Sequence, residues 1–109
     1  MIGLKKRGYR ILGTNIHTPF GELDIVASVG GVIVFVEVKA RRSYSLGPPY
    51  LSVTRLKERH IIRNALFYLK GRGRVDSDWR IDVVSVRLGL AGDVEEIELI
   101  ENAVQNDGY

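Results

Sequence analysis

No cysteine occurs among the 109 residues, which excludes disulfides, thiolate nucleophiles and cysteine-ligated zinc together. Only two histidines are present, His17 and His60, too far apart in sequence to suggest a local metal motif. A metal, if the chain uses one, must then be a hard cation held by oxygen. No apolar run approaches the ~20 residues that span a bilayer, and the basic start leads into no signal-peptide core. A cytoplasmic protein with no membrane partner is expected. The length suits a single domain over residues 1–109, with a basic arm at 1–7 and a flexible tail at 102–109.

Charge of one sign is missing at each end. The first acid is Glu22, and residues 91–109 hold six acids and no base. Residues 1–90 carry 16 bases against 7 acids, so a body of +9 is followed by a tail of −6 behind a modest total of +3. A basic body suits a polyanion such as nucleic acid, although a well-solvated surface accounts for such charge about as well.

The most informative stretch runs from Gly21 to Arg42. From Gly21 to Val29 the period is two, with Leu23, Ile25, Ala27 and Val29 on one face and Glu22, Asp24, Val26 and Ser28 on the other. Val32 to Lys39 alternates likewise, with Val32, Val34, Val36 and Val38 opposite Ile33, Phe35, Glu37 and Lys39. Gly30-Gly31 suits a two-residue primed turn, in which both residues need positive φ. If Val29 pairs with Val32, Asp24 falls opposite Glu37, and Glu22 opposite Lys39. Opposed carboxylates repel, and a divalent cation relieves the repulsion.

Around this hairpin the reading is coarser. Tyr9 to Leu12 reads as a short strand and Asn15 to Phe20, which contains Pro19, as a connection. After a Gly-Pro-Pro loop, Val53 to Lys70 reads as an amphipathic helix capped by Ser52 or Thr54 and ended by Gly71. This helix is expected to cover the aliphatic face of the hairpin. Arg80 to Leu88 and Val94 to Ile100 read as further strands, and Asp82 as a strand-edge carboxylate. The fold class is therefore α/β (α+β), a mixed sheet of about five strands with one main helix.

Phosphodiester hydrolysis needs an activated water, a neutralised phosphate and help for the leaving oxygen. Mg²⁺ or Mn²⁺ meets these needs while bound by one or two carboxylates plus water. Asp24, Glu37 and the Val38 carbonyl are the candidate ligands. Lys39 is the candidate to orient water or to stabilise developing charge, and Glu22 is its partner or an outer group. Glu-x-Lys alone is a common solvated strand edge; the opposed pair is what singles this one out. Lys6, Arg7, Arg41, Arg42, Lys57, Arg72 and Arg74 are candidate phosphate contacts.

The ordered series GYRILGTN (8–15), GELDIVA (21–27), VFVEVKAR (34–41), the Lys57 region, ALFYL (65–69), RIDVV (80–84) and ENA (101–103) covers nearly the whole chain. It resembles the YraN-like family, a branch of the PD-(D/E)xK, or restriction-endonuclease-like, superfamily. The resemblance implies a mixed sheet with flanking helices akin to Holliday-junction resolvases. It also places Asp24, Glu37 and Lys39 at signature positions of a metal-dependent endonuclease for branched or structured DNA. A non-catalytic nucleic-acid-binding module of the same fold, acting in recombination, repair or DNA uptake, is the alternative. Related proteins place a helix before the GYRIL strand, and that helix can carry a further acid. Only seven residues precede Gly8 here, none of them acidic, so Glu22 is the candidate to replace it. A homodimer is expected on the same ground, a second copy covering Val26, Ile33 and Phe35.

Overall fold

The computed structural model describes residues 3–42 and 55–103, with the side chains at 41–42 and 55–57 outside the described set. Five strands, β1 (Arg10–Thr18), β2 (Gly21–Val29), β3 (Val32–Arg42), β4 (Trp79–Leu88) and β5 (Val94–Ile100), form one sheet in that order. One helix, α1 (Arg55–Gly71), connects β3 to the parallel strand β4; every other neighbouring pair is antiparallel. The fold is thus α+β, as the alternation of sequence patterns implies.

The hairpin forms as its turn chemistry dictates. Gly30 and Gly31 have φ of +53° and +84°, a region closed to most side chains, and Val29 faces Val32 across them. Pairing continues in that register to Ile25 opposite Val36. β1 is longer than its sequence suggests, reaching Thr18, so only Pro19 and Phe20 form the connection to β2. Pro19 sits just beyond the strand, where its missing N–H costs no ladder bond.

The sheet is apolar on both faces. On one side Val26, Ile33, Phe35 and Ile81 pack beneath Ile61, Ile62, Ala65 and Leu69 of α1. Tyr68 and Trp79 meet the Phe35 ring edge-on, at 5.7 and 5.9 Å between centroids. On the other side Ile25, Ala27, Val34, Val36 and Val84 pack with Leu4 and Tyr9. The helix therefore covers the face that carries Val26 and Phe35, rather than the aliphatic face expected to receive it, and Leu23, expected on that aliphatic face with Ile25 and Ala27, packs under the helix instead. Because α1 already buries Val26, Ile33 and Phe35, this patch offers no reason for a second copy of the chain.

The first and last described segments are tied down further than composition suggests. Lys5–Arg7 form a 3-10 turn that seats Leu4 in the core. The Asn102 and Ala103 amides donate to Asp82 Oδ1 and to the Ile81 carbonyl, both at 2.8 Å, so the expected tail does not begin at 102. Residues 104–109, and the helix caps expected at Ser52 or Thr54, lie outside the described residues. No described helix is long and apolar enough to cross a membrane.

Asp82 itself is fully buried in β4, not at a strand edge. Its carboxylate accepts from the Tyr9 hydroxyl at 2.6 Å, from Arg80 Nε at 2.9 Å and from the Asn102 amide. An unpaired carboxylate would be very costly here, and these donors offset its desolvation. The network draws together three segments that sequence leaves apart, GYR, RIDVV and ENA. Burial, followed by the hydrogen bond to Asp82, pushes Tyr9 up to about 12. The same carboxylate, more than any other partner, raises the pKa of Arg80.

Candidate active site

Beyond Ile25 and Val36 the two hairpin strands part company. Leu23 and Glu22 continue to pair with Ile16 and His17 of β1, while Glu37, Val38 and Lys39 continue with Val83, Val84 and Ser85 of β4. The divergence leaves the Val38 amide without a backbone acceptor on the β2 side. Asp24 supplies one: its Oδ2 accepts the Val38 N–H at 2.9 Å. A strand residue directs its N–H and C=O to the same side, so the Val38 carbonyl opens on the same gap.

Asp24 and Val38 thus meet in the gap, and Glu37, the third group proposed from sequence as a metal ligand, is near enough to feel the Asp24 carboxylate. Burial and the adjacent Asp24 carboxylate raise Glu37 above its ordinary pKa, while a hydrogen bond and attraction from Lys39 pull it back. Lys39 Nζ lies 3.2 Å from Glu37 Oε1, and both side chains are about four-fifths buried. The strong donors are thus two carboxylates and a carbonyl, with one ammonium alongside. Among the described residues no group of three or more His, Cys, Asp or Glu is placed to hold a metal. A cation bound here would complete its shell with water and substrate oxygens, which suits Mg²⁺ or Mn²⁺ and not zinc.

Glu22 is not part of this arrangement. It lies beyond the last β2–β3 pair, and its Oε2 sits 3.4 Å from His17 Nδ1 on the β1 side. The pairing with Lys39 expected from the extended register is replaced by Lys39 with Glu37, because β2 follows β1 rather than β3 at that level. His60 is exposed on α1, away from the core.

Two neighbours of the site went unnoticed in the sequence. Thr14 and Asn15 join Asp24, Ile25 and Val38 around a depression of about 350 Å³. Asn15 lies between Thr14 and Ile16, which pair with Ile25 and Leu23 on either side of Asp24, and it has a φ of +50°. Asparagine tolerates that left-handed conformation better than most residues, and it is disfavoured in ordinary strands. An asparagine inside an otherwise strand-like run was the available signal.

The candidate phosphate contacts divide into groups. Lys6 and Arg7 are exposed in the 3-10 turn and form no ion pair with Asp24 or Glu37. Arg41 and Arg42 lie at the end of β3 and Lys57 in the first turn of α1, with side chains outside the described residues. Arg72 and Arg74 gather at the other end of the hairpin, beside its turn.

The model of the uncharacterised protein family UPF0102 matches residues 2–86, a span that includes Asp24, Glu37, Lys39 and Asp82. The chain belongs to this family. It is 49% identical over 100 residues to a UPF0102 protein of Desulfosudis oleivorans, covering 92% of this chain and 78% of that one. It is 43% identical to a UPF0102 protein of Caldicellulosiruptor saccharolyticus, with 92% and 85% covered, and 48% identical to one of Syntrophus aciditrophicus, with 94% and 79% covered. The YraN-like resemblance read from the ordered motifs is thereby established for this UPF0102 protein.

Proposed function

We propose that this UPF0102 protein is a divalent-metal-dependent endonuclease that hydrolyses phosphodiester bonds in DNA, with Asp24, Glu37 and Lys39 as its site. The observation that carries the reading is the meeting of the Asp24 and Glu37 carboxylates beside Val38 at the point where β2 and β3 diverge. Burial first and the Asp24 charge second raise the Glu37 pKa, a cost that a cation would relieve, so the donor set fits a hard divalent ion. When bound, Mg²⁺ or Mn²⁺ supplies charge neutralisation at the phosphate and Lewis-acid activation of water. The protein's own part is positional. Asp24 is held by the Val38 amide, Glu37 by Lys39, and the Lys39 ammonium stands ready to stabilise charge that develops on phosphorus.

The order Asp24, Glu37, Lys39 and the mixed sheet around it are also what the PD-(D/E)xK resemblance implies, which favours branched or structured DNA as substrate. The purified protein with Mn²⁺, offered linear, flapped and four-way DNA together with RNA, is expected to nick DNA. Loss of cleavage in both Glu37→Ala and Lys39→Ala, with binding retained, supports the assignment. No cleavage of any substrate by the wild type overturns it.

The absence of a third carboxylate beside Asp24 and Glu37, among the described residues, favours one other reading. In it the fold binds nucleic acid without cutting. Metal-independent binding by a protein that never cleaves is its expected signature.

A further inference from the structure

At the opposite end of the hairpin from Asp24, three arginines converge on a groove of about 520 Å³. Arg10 opens β1, Arg72 and Arg74 follow α1, and Ser28, Gly31, Ile33, Leu12 and Tyr68 complete the lining. The sequence Gly71-Arg72-Gly73-Arg74 reads as a loose basic connector, but it is a tight helix stop. Gly73 has a φ of +67°, its amide donates to the Lys70 carbonyl, and the Arg74 amide reaches back to the Leu69 carbonyl at 2.7 Å. This Schellman arrangement needs glycine at its left-handed position, and it fixes the backbone of the residues on either side. The central carbon of the Arg72 guanidinium lies over the Tyr68 ring, 4.7 Å from its centre.

None of the three guanidiniums forms an ion pair with a carboxylate among the described residues, whereas Arg80 and Arg87 do. Like charges brought together without acidic partners repel one another, and their convergence on one groove makes it a site for an anion. Guanidinium forks match phosphate oxygens. One phosphate would not fill the volume, but a run of them would. Ser28 in the groove and Asp24 in the candidate active site are four residues apart on β2, about 13 Å at the rise of a strand. At ~3.4 Å per base step this is about four steps along a duplex.

We infer that the groove of Arg10, Arg72 and Arg74 is a second phosphate-backbone site, which grips the DNA about four nucleotides from the bond that Asp24, Glu37 and Lys39 address. The inference rests on the nuclease reading for its substrate, but it concerns different residues and can fail separately. Arginines after a helix also answer the partial negative charge of its C-terminus. That role alone would leave DNA binding untouched.

The test is fluorescence anisotropy with a fluorescein-labelled 30-base-pair DNA duplex in EDTA, over a series of salt concentrations. For Arg72→Ala/Arg74→Ala we expect at least tenfold weaker binding and a salt slope shallower by about 2, since each lost phosphate contact removes about 0.9 from it. Ser28→Glu keeps every arginine, places a carboxylate in the groove and should weaken binding in the same direction. Thermal melts and circular dichroism report whether each variant folds. Leu90→Ala, at an exposed position that lines neither the groove nor the candidate active site, should bind as the wild type does. Unchanged affinity and slope in both folded groove variants would overturn the groove while leaving the nuclease reading in place. A wild type that binds no DNA would overturn both. Groove-dependent binding by a wild type that never cuts in Mn²⁺ would sustain the groove and end the nuclease reading.

Discussion

Asp24 bonds the backbone of Val38 across the point where their strands separate, its Oδ2 accepting the Val38 amide at 2.9 Å. One side chain thus closes a gap in the sheet and presents a carboxylate to Glu37. These two duties can be separated by substitution.

Asp24→Asn keeps an oxygen for the Val38 amide, whereas Asp24→Ala leaves that amide without its acceptor. Asn is expected to fold with nearly wild-type stability, and Ala to lose about 1–3 kcal/mol in urea unfolding. Both should lower cleavage by on the order of 100-fold or more, because the negative charge is gone in each. Equal stability of the two variants would show that the Val38 bond contributes nothing.

Glu37 gives a pH and metal signature. Its pKa is raised in the folded protein, so folding favours its protonated form, and the benefit is lost as pH rises from the ordinary glutamate range through the raised value. Metal-free protein should therefore lose part of its stability over that interval, and Mg²⁺ should restore it at neutral pH. In Glu37→Gln the pH-dependent loss and the Mg²⁺ increment in melting temperature should both disappear. Thermal melts across pH with EDTA or Mg²⁺ check this.

Lys39→Ala removes the group that lowers the pKa of Glu37. The Glu37 carboxyl should then titrate at a higher pH than in the wild type, observable by NMR of its side-chain carbon. Cleavage should be lost while duplex affinity stays within about twofold. Lys39→Arg retains the charge and should return the Glu37 titration toward normal without restoring the rate, since a guanidinium does not reproduce an ammonium's geometry.

Tyr9→Phe removes a hydrogen bond to the buried Asp82 and should destabilise the protein by about 1–3 kcal/mol without altering the site chemistry. In the wild type the Tyr9 pKa of about 12 lies above the ordinary 10.0, so the contribution of this hydroxyl is complete below pH 10 and is lost toward 12. Alkaline unfolding of Tyr9→Phe should lack that component. Amide exchange at Asn102 should quicken in Asp82→Asn, where the acceptor loses its charge.

Much of the hairpin was legible from residues 21–42 because its determinants are local. Two glycines at a tight turn and strict alternation set a register, and a register sets which side chains oppose. That is why β2 begins and ends at Gly21 and Val29 as read. The extent of β1 was hidden because Gly13, Asn15 and Pro19 weaken its strand signal. Its length comes from pairing with β2, a contact that no local propensity reports. The register also does not say how far pairing continues, and so Glu22 was assigned to Lys39.

The sequence by itself determined the family, the Gly30-Gly31 hairpin and the approach of Asp24 to Glu37, all matters of order and short spacing. The tertiary structure decided which face α1 covers, because both faces of the hairpin are apolar near the turn and alternation separates faces without naming their partners. It decided that Asp82 is buried, since its three donors come from Tyr9, Arg80 and Asn102 in separate parts of the chain. It decided as well that β2 and β3 diverge after Ile25 and Val36, with β1 drawing one strand away while β4 retains the other. That divergence opens the gap in which Asp24 meets Val38, and an edge-to-edge ladder continuing past it would have closed it.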